Sequence, residues 1–368
     1  MRLLFVNLNR SRAFGGVERW MMDAAEGLSA RGHPCTLLAR PGAPWAAAAR
    51  RRGLRVRDDH HGPWIARVLQ TRAVMRAERP DVVVVKAKKA ARMAAWGRSR
   101  GGATRVAIFF GLTHELDARR WVDRYTWRRL DAGITVACAA ADWYAAHGFG
   151  PASKLHVLWT GVELAPFDLA IASREATRRG LGLRAGDLAI GTTCRLAWQK
   201  GVDQLLDTIR LVAPRLPHAR FLIVGDGRER ADIEAAARDL GDTVRFLGHR
   251  EDVAALLAAF DLFVQPSRQE AMVQTTLEAM AAGLPVVSTR TVGADEAIVD
   301  GTSGLLVPVG DASAMAEAIV ALAADRGRRA VIGRAGRARI EGTFTMTHML
   351  DRAERLFERI AAGAPAER

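Results

Sequence analysis

Two glutamates, Glu270 and Glu278, stand eight residues apart around the predicted start of a helix. The segment follows a predicted buried strand, Leu262–Gln265. Backbone amides at a helix start bind phosphate, and a carboxylate one or two turns along can accept a pair of ribose hydroxyls. With the hydroxyls of Thr275 and Thr276 between them, the two carboxylates can face one pocket at different depths. The apolar neighbours of Glu278 predict that its side chain is partly buried and needs a partner, while a solvated helix face is the alternative.

Two cations, Arg195 and Lys200, follow another predicted strand, Ala189–Thr193. An arginine can grip phosphate oxygens bidentately, and a lysine acts as a compact point charge, so the pair could neutralise a leaving diphosphate. The segment by itself leaves open that both are solvated cations in a surface turn.

The elements that must position these residues alternate between strand and helix from the start of the chain. The first 40 residues predict a βαβ unit, in which a helix over Val17–Arg31 has an apolar face and separates two strands. We therefore expect a parallel sheet in the first domain. Its predicted strands are Leu3–Leu8, Cys35–Ala39, Val82–Val85, Val106–Phe110, Gly133–Cys138 and Leu155–Trp159.

A second α/β domain follows residues 160–186, which have little periodicity and predict a connector between domains. Two such domains place a ligand at the carboxyl ends of strands, in a cleft between them. We predict a basic, acceptor-binding, membrane-facing domain over residues 1–165 and a donor-binding domain over residues 166–346. Residues 347–368 should form a helix that packs back on the first domain. The predicted strands of the second domain are Ala189–Thr193, Arg220–Val224, Thr243–Leu247, Leu262–Gln265, Pro285–Ser288 and Gly304–Val307.

The 368 residues suffice for two globular domains, and 49% apolar with 26% charged residues excludes a disordered chain. The net charge of +14 lies in the N-terminal half, where residues 1–165 hold 28 Lys and Arg against 13 Asp and Glu. Three scattered cysteines indicate neither a disulfide framework nor a zinc site. No apolar run approaches the ~18 residues of a spanning helix, so we expect a cytoplasmic protein that meets a membrane only peripherally.

Several short motifs occur along the chain in a fixed order, and together they resemble the retaining nucleotide-sugar glycosyltransferases of family 4, which have the GT-B fold. The resemblance covers nearly the full length. The motifs are Gly15-Gly16-Val17-Glu18, Gly161-Val162-Glu163, Arg195 with Lys200-Gly201, Gly225-Asp226-Gly227, Phe246-Leu247-Gly248, the pair Glu270 and Glu278, and Asp300-Gly301-Thr302-Ser303-Gly304-Leu305-Leu306-Val307.

The resemblance implies an α/β architecture of two Rossmann-like, parallel-sheet domains that face a central cleft. It also implies that Arg195 and Lys200 neutralise the donor diphosphate, that Glu278 holds the ribose hydroxyls, and that Glu270 lies beside the donor sugar. The loop that contains Arg250 would border the base, largely through backbone groups. Thr275 and Thr276 complete the expected donor site.

In the first domain, the resemblance implies that Gly15 and Gly16 let the backbone approach the phosphates, because they lack Cβ atoms. His114 resembles the cleft histidine that family members place near the sugar, although a structural histidine is the alternative.

The implied reaction is glycosyl transfer with retention from a nucleotide sugar, for which a UDP-sugar is the expected donor. No cofactor and no metal ion are expected, and the sequence has no Asp-x-Asp pair. Ala271-Met272-Val273 stands where the family often has Gly-Phe-Gly. Two alternatives therefore stay open: a GT-B-like binding or scaffold protein, and a nucleotide-sugar epimerase on the same fold.

Two basic segments of the first domain, Pro44–Arg57 and Pro63–Arg79, combine tryptophan with arginines. Such helices suit the interface of an anionic membrane. We therefore predict a peripheral position on the inner face of the membrane and a lipid-linked or cell-envelope glycan acceptor. Apolar packing on the sheet, with arginines in water, is the alternative. No recognition-helix pattern indicates nucleic acid. The residues that we predict to meet the membrane or the acceptor are Arg50, Arg51, Arg52 and Arg67.

Overall fold

The structure is a computed structural model, and it describes residues 1–8, 15–59, 62–98, 102–110, 121–149, 151–272 and 274–366. The chain divides into two compact units. The first unit combines residues 1–160 with residues 347–368, and the second comprises residues 161–346. Residues 161–165 thus fall in the second unit, and the C-terminal residues fall in the first.

In the described residues, the first unit contains a seven-stranded parallel sheet of order β3-β2-β1-β4-β5-β6-β7. Its central strands are continuous apolar runs with helices between them, as expected for a parallel sheet covered on both faces. The strands are β1 (Leu3–Asn7), β2 (Cys35–Ala39), β3 (Arg55–Asp58), β4 (Val82–Lys86), β5 (Arg105–Phe109), β6 (Ala132–Thr135) and β7 (Leu155–Val157). The helices are α1 (Gly16–Ala30), α2 (Pro44–Arg51), α3 (Trp64–Glu78), α4 (Lys88–Gly97), α5 (Trp121–Arg129), α6 (Cys138–Ala146) and α16 (Met346–Ala362).

The edge strand β3 has no counterpart among the predicted strands. Its sequence, Arg-Val-Arg-Asp, is short, charged and mostly exposed. Charged residues are a common protection of a sheet edge against further pairing, but they remove the apolar alternation that indicates a strand. The sequence therefore indicated only a basic segment here.

Helix α16 packs within the first unit, although it is the last helix of the chain. The Phe357 ring lies edge-on against Phe5 of β1, with ring centroids 6.2 Å apart. The Glu354 carboxylate accepts a hydrogen bond from Arg31 and lies 2.6 Å from His33 Nε2. These contacts fix the end of the chain to the first βαβ unit.

In its described residues, the second unit contains a six-stranded parallel sheet of order β10-β9-β8-β11-β12-β13. The strands are β8 (Leu188–Thr193), β9 (Ala219–Val224), β10 (Val244–Gly248), β11 (Leu262–Gln265), β12 (Val286–Thr289) and β13 (Leu305–Val307). The helices are α7 (Ala165–Ala170), α8 (Arg174–Gly180), α9 (Val202–Val212), α10 (Arg230–Ala236), α11 (Val253–Ala259), α12 (Gln274–Ala281), α13 (Ala294–Ala297), α14 (Ala312–Ala324) and α15 (Arg326–Arg339).

Residues 160–186, which the sequence presented as an aperiodic connector, contain the two short helices α7 and α8. The arginines of α8 are structural: Arg178 donates hydrogen bonds to the Ala259 carbonyl and to the Asp261 carboxylate. Arg174 donates to the Phe260 carbonyl and also to Asp261. These ion pairs and carbonyl contacts hold α8 in place, whereas α7 has no arginine and buries Phe167 and Ala170. None of the helices in the described ranges is long and apolar enough to cross a membrane.

Candidate functional site

The order of the second sheet reverses at its first strand. The chain continues from β8 outwards to β9 and β10 on one side, and then returns to β11 on the other side of β8. In open parallel sheets, ligands bind at such a switch point, outside the carboxyl ends of the strands. Two segments follow the strands at this point, 194–201 after β8 and 266–272 after β11, and they carry Arg195, Lys200 and Glu270 of the predicted site.

The structure brings Lys200 and Glu270 into direct contact across the switch point. Lys200 Nζ donates a hydrogen bond to Glu270 Oε1 in an ion pair. The Glu270 residue is only 5% exposed, while the lysine side chain keeps 21% of its surface exposed. Oε2 of Glu270 has no hydrogen-bond partner among the described residues. The site thus combines a compensated cation with one carboxylate oxygen that is open to a ligand.

A chain of buried side-chain hydrogen bonds orients Glu270. Ser267 Oγ donates to Glu270 Oε1 over 3.0 Å, and Gln265 Nε2 donates to Ser267 Oγ over 2.6 Å. At the other end, Thr275 Oγ1 donates to Gln265 Oε1 over 3.0 Å. Gln265 and Ser267 are both fully buried. The chain therefore connects α12 to Glu270 and Lys200 through groups that water does not reach.

Gln265 and Ser267 were not predicted as site residues. The sequence did contain one signal, because Gln265 is the only polar residue of the strand Leu-Phe-Val-Gln and stands at its carboxyl end. A polar side chain at the last position of a buried strand needs a partner, and in parallel α/β sheets that end of the strand faces the ligand site.

Backbone contacts hold the two switch-point loops together. The amide of Arg268 donates to the Gln199 carbonyl over 2.8 Å, and its guanidinium pairs with Asp203. Gly201 has a φ of +64°, and a Cβ atom there would lie 2.1 Å from the Pro266 carbonyl oxygen. Only glycine fits at this crossing, because the backbone of the other loop occupies the space of a side chain.

The turn after β9 lies equally close to the loop after β8. A Cβ atom on Gly225, whose φ is +135°, would lie 1.8 Å from the Cys194 carbonyl oxygen, and one on Gly227 would lie 2.1 Å from that of Leu196. The Leu196 amide donates to the Asp226 carbonyl over 2.9 Å. The glycines of Gly225-Asp226-Gly227 therefore allow two loops to join by backbone hydrogen bonds, which explains the motif without a dinucleotide.

Helix α12 carries the second glutamate and both threonines. Glu278 is 4% exposed, as its apolar neighbours indicated, and it has an interaction partner within the structure. Thr276 is also buried, and its Oγ1 makes no hydrogen bond in the part of the chain that the structure describes. Thr275 lies at the start of the helix and contacts Gln265. The two glutamates are therefore buried to the same extent, Glu270 before the helix and Glu278 within it.

Arg195 and Arg250 differ in how free their charges are. Arg195 is exposed, and no described residue forms a hydrogen bond or ion pair with it. Arg250 forms a bidentate pair with Asp252, with donor–acceptor distances of 2.7 and 2.6 Å. This pair compensates the charge of Arg250, which leaves the backbone of its loop for the contacts predicted there.

The thiol of Cys194 lies close enough to Lys200 and Glu270 to interact with their charges. Burial raises the pKa of this thiol to about 12, and the neighbouring Lys200 offsets only part of the shift. The thiol is therefore protonated and unreactive at neutral pH. We assign Cys194 a packing role.

In the first unit, Gly15 is the N-cap of helix α1 and Gly16 is its first residue. The amide of Gly15 donates to Glu18 Oε2 over 3.1 Å, and Asn7 Nδ2 donates to Glu18 Oε1 over 3.0 Å. A Cβ atom on Gly16 would meet no atom within 4 Å, so this position is open. His114 lies outside the described residues.

Most of the arginines predicted to meet a membrane form ion pairs with carboxylates of the protein. Arg50 pairs with Asp58, and Arg52 pairs with Asp23 and Glu26. Arg67 was wrongly predicted as a surface cation, because its side chain is 4% exposed and forms a buried ion pair with Asp59. A buried cation needs such a partner. Of the four, Arg51 alone is exposed without a partner among the described residues.

No three His, Cys, Asp or Glu side chains in the described ranges are placed to share a metal ion. His60 and His61 lie outside those ranges. The site of the second unit is thus built from carboxylates, amides, hydroxyls and cations.

Comparison with known proteins gives the family. Residues 14–165 match the profile described as Glycosyltransferase Family 4, and residues 187–325 match the profile described as Glycosyl transferases group 1. The two matches together cover well over half of the chain, and each lies largely in one of the two units.

Two relatives of the chain are named as a mannosyltransferase and a glycosyltransferase. A Corynebacterium glutamicum protein named GDP-mannose-dependent monoacylated alpha-(1-6)-phosphatidylinositol monomannoside mannosyltransferase is 31% identical over 254 residues, which cover 66% of this chain and 62% of that protein. The lipopolysaccharide core biosynthesis glycosyltransferase LpsE of Rhizobium meliloti is 28% identical over 354 residues, which cover 92% of this chain and 94% of LpsE.

Solved structures agree with the fold. The crystal structure of Anabaena HepE in complex with UDP has a TM-score of 0.84 at 22% identity, and the match covers 97% of this chain and all of that one. WaaG, a glycosyltransferase involved in lipopolysaccharide biosynthesis, has a TM-score of 0.73 at 19% identity, and the match covers 97% of this chain and 99% of WaaG. With two Rossmann-like parallel-sheet units in the GT-B fold and matches to both profiles, the chain belongs to the family 4 glycosyltransferases.

Proposed function

We propose that this protein is a retaining glycosyltransferase that moves a hexosyl or related sugar from a nucleotide sugar to a lipid-linked or cell-envelope glycan. The observation that carries the proposal is the Lys200–Glu270 pair at the switch point of the second sheet, with Arg195 exposed beside it in sequence. This arrangement offers cations to a diphosphate and a carboxylate oxygen to sugar hydroxyls.

The donor diphosphate would bind to Arg195 and Lys200. Arg195 has no partner to release among the described residues, and Lys200 is oriented by Glu270 before the ligand arrives. Preorganised cations stabilise developing charge without reorganising in the transition state. Glu278, buried on α12, would accept the ribose hydroxyls, and Oε2 of Glu270 would accept a hydroxyl of the donor sugar.

In the proposed step, the bond between the anomeric carbon and the diphosphate oxygen breaks, and the diphosphate keeps the electron pair. The acceptor hydroxyl attacks from the same face, so the configuration is retained. Its proton passes to the departing diphosphate oxygen, and no enzyme nucleophile is needed. Arg195 and Lys200 would act by stabilising the charge on that oxygen.

Names of relatives support an acceptor on a lipid or an envelope glycan. One relative is named for a phosphatidylinositol monomannoside and another for the lipopolysaccharide core. Such acceptors lie at a membrane surface, which agrees with a peripheral position on its inner face and with the positive charge of residues 1–165.

For the donor, a UDP-sugar is the first candidate, because the HepE structure contains UDP. GDP-mannose is the second, because two relatives are named as GDP-mannose-dependent. Thermal stabilisation by a panel of UDP- and GDP-sugars distinguishes them, since a ligand that binds only the folded state raises the melting temperature. Stabilisation by neither class would contradict the donor assignment.

The test of function is sugar transfer by purified protein, with Lys200→Ala and Glu278→Ala as variants. We expect both variants to lose most transfer, and undiminished turnover in both would refute the site assignment. Arg215 and Glu317, an exposed ion pair in the same unit, supply a control, because Arg215→Ala should leave turnover unchanged.

The same transfer assay tests metal independence and the two alternative functions. Activity that persists after extraction with EDTA agrees with metal independence, and loss that Mg²⁺ restores would contradict it. Nucleotide binding without transfer to any acceptor would instead identify a binding or scaffold protein. Isomerisation of the sugar without an acceptor would identify an epimerase.

A further inference from the structure

The large, exposed apolar side chains of the first unit all lie on three neighbouring helices, as far as the described residues go. Helices α3 and α4 are in close contact, because a Cβ atom on Gly97 would lie 3.2 Å from the Val68 carbonyl oxygen. Helices α4 and α5 meet through the rings of Trp96 and Tyr125, 5.5 Å apart and edge-on. We name the exposed apolar surface on these three helices the aromatic face. Its side chains are Trp64, Ile65, Leu69, Trp96, Trp121 and Tyr125.

Helix α5 adds uncompensated positive charge to the aromatic face. Arg124 and Arg128 are exposed, and neither has a hydrogen-bond or ion-pair partner among the described residues. They lie three and seven residues after Trp121, so all three side chains share one side of the helix.

A cavity lies beside these two arginines. The rings of Trp127 and Phe149 line it, and Lys154 contributes a third cation. The ammonium group of Lys154 is held by the Leu130 carbonyl over 3.0 Å. A cavity with cations at its edge and aromatic walls suits a phosphate that carries an apolar group.

No carboxylate on α3, α4 or α5 offsets this charge. Asp123 also lines the cavity, but it is 1% exposed and pairs with Lys88 and Arg92. Glu78, at the end of α3, pairs with Arg55 and Arg57. Among the described residues of these three helices, the aromatic face is therefore apolar and cationic without exposed negative charge.

We propose that the aromatic face docks on an anionic lipid bilayer and that the cavity at Arg124, Arg128 and Lys154 takes a lipid phosphate. Tryptophan and tyrosine are the side chains that favour the membrane–water interface, and arginines beside them attract anionic headgroups. The inference rests on the proposed function in one respect, because a lipid-linked acceptor requires the enzyme to reach a membrane.

Helix α2 offers a matched control within the same unit. Its tryptophan, Trp45, is 3% exposed, and Arg50 in its last turn and Arg52 just after it are paired with carboxylates. Removing two charges from α2 changes the net charge as much as removing two from α5. Any difference between the two variants therefore reports the position of the charges.

The experiment is co-sedimentation of the full chain with vesicles of equal parts phosphatidylglycerol and phosphatidylcholine. The double variant Arg124→Gln/Arg128→Gln should bind about thirtyfold more weakly, at about fivefold for each cation near the surface. The double variant Arg50→Gln/Arg52→Gln should change binding by less than about threefold, because its charges are already compensated. Wild-type binding should fall steeply with salt.

Equal losses of vesicle binding in the two double variants would overturn the proposal. Wild-type protein that does not bind anionic vesicles would overturn it as well. That second result would leave an anionic soluble protein as the partner of the aromatic face. Brominated lipids give a check at single-residue level: Trp121→Phe should lose part of the fluorescence quenching, and Trp45→Phe should keep it. Unchanged quenching in Trp121→Phe would contradict insertion of this face.

The thermal shift with nucleotide sugars, measured on the same proteins, separates this inference from the proposed function. A preserved shift without vesicle binding refutes the docking face alone. Vesicle binding without any nucleotide-dependent shift refutes the proposed function and leaves the docking face in place.

Discussion

The cations at the switch point of the second sheet and those on helix α5 of the first unit carry equal charges in opposite settings. Lys200 is paired with a buried carboxylate and held by two joined loops. Arg124 and Arg128 extend into solvent without partners among the described residues. A small anion that must be held at one point requires the first setting, whereas a fluid, extended anionic surface can use the second. The two regions therefore differ in where their cations lie and in whether carboxylates pair with them, rather than in net charge.

The largest effect should come from breaking the switch-point pair. We expect Lys200→Met to reduce turnover by about 100- to 1000-fold, the usual loss when one preorganised donor to a developing oxyanion is removed. The variant Arg124→Gln/Arg128→Gln should stay within about twofold of wild type on a soluble acceptor, because α5 carries none of the residues assigned to the donor site. Steady-state kinetics on both proteins test the comparison, and comparable losses would erase the distinction between the regions.

The next effect concerns the backbone that supports the switch point. Gly225→Ala places a Cβ atom where the Cys194 carbonyl lies, and we expect a loss of about 3 kcal/mol in the free energy of unfolding. Gly62→Ala, next to the aromatic face, is the control, since its Cβ would meet only the Cβ of Ala66 at 3.5 Å. Urea unfolding of both variants measures the difference. An equal, small change in both would show that the switch-point loops tolerate displacement.

A smaller effect should follow from loosening the hydrogen-bond chain behind Glu270. We expect Gln265→Ala to lower kcat about tenfold, the equivalent of one lost hydrogen bond, because Ser267 and then Glu270 lose their orientation. Gln265 would act as a positioning residue, so the donor KM should change far less than kcat. A change confined to KM would instead mean that Gln265 mainly shapes the donor pocket.

The smallest effect concerns His156 on β7, close to Lys154 at the cationic side of the first unit. Burial and the charge of Arg359 lower the pKa of His156 from its ordinary value of 6.5 to about 4. Between these values the unfolded chain binds the proton and the folded chain does not, so stability rises with pH there and is lost as pH falls. Melting curves over this range should show a shallower loss for His156→Gln than for wild type. Parallel curves would mean that this histidine does not sense pH.

Much of the fold follows from the sequence, because buried parallel strands are continuous apolar runs separated by helices of period 3.6. Strands such as Val82–Lys86 and Leu262–Gln265 are recognisable in this way. The edge strand β3 is not, because its charged residues protect an edge instead of filling a core. Helix α8 was not predicted for a related reason, since contacts of Arg174 and Arg178 with Asp261 hold it rather than an apolar stripe. Helix α7 has only six residues, too few for a recognisable period.

The residues of the candidate site could be predicted from the sequence, but most of the contacts between them could not. Arg195, Lys200 and Glu270 lie in the segments that follow two strands, Glu278 lies on the next helix, and parallel strands bring their carboxyl ends to one edge. That Lys200 meets Glu270, 70 residues away, depends on β8 and β11 being neighbours. The role of Gln265 also appears only once Ser267 and Thr275 are seen to contact it.

The sequence by itself determined two α/β domains, the residues at the strand ends, and the excess of positive charge in the N-terminal half. These are properties of local pattern and composition, which need no knowledge of neighbours in space. Only the tertiary structure decided which charges are compensated. Arg50, Arg67 and Arg124 look alike in sequence, yet the first is paired on the surface, the second is buried with Asp59, and the third is exposed on α5. The physical reason is that a cation's function depends on the carboxylates and the solvent around it, and folding sets both.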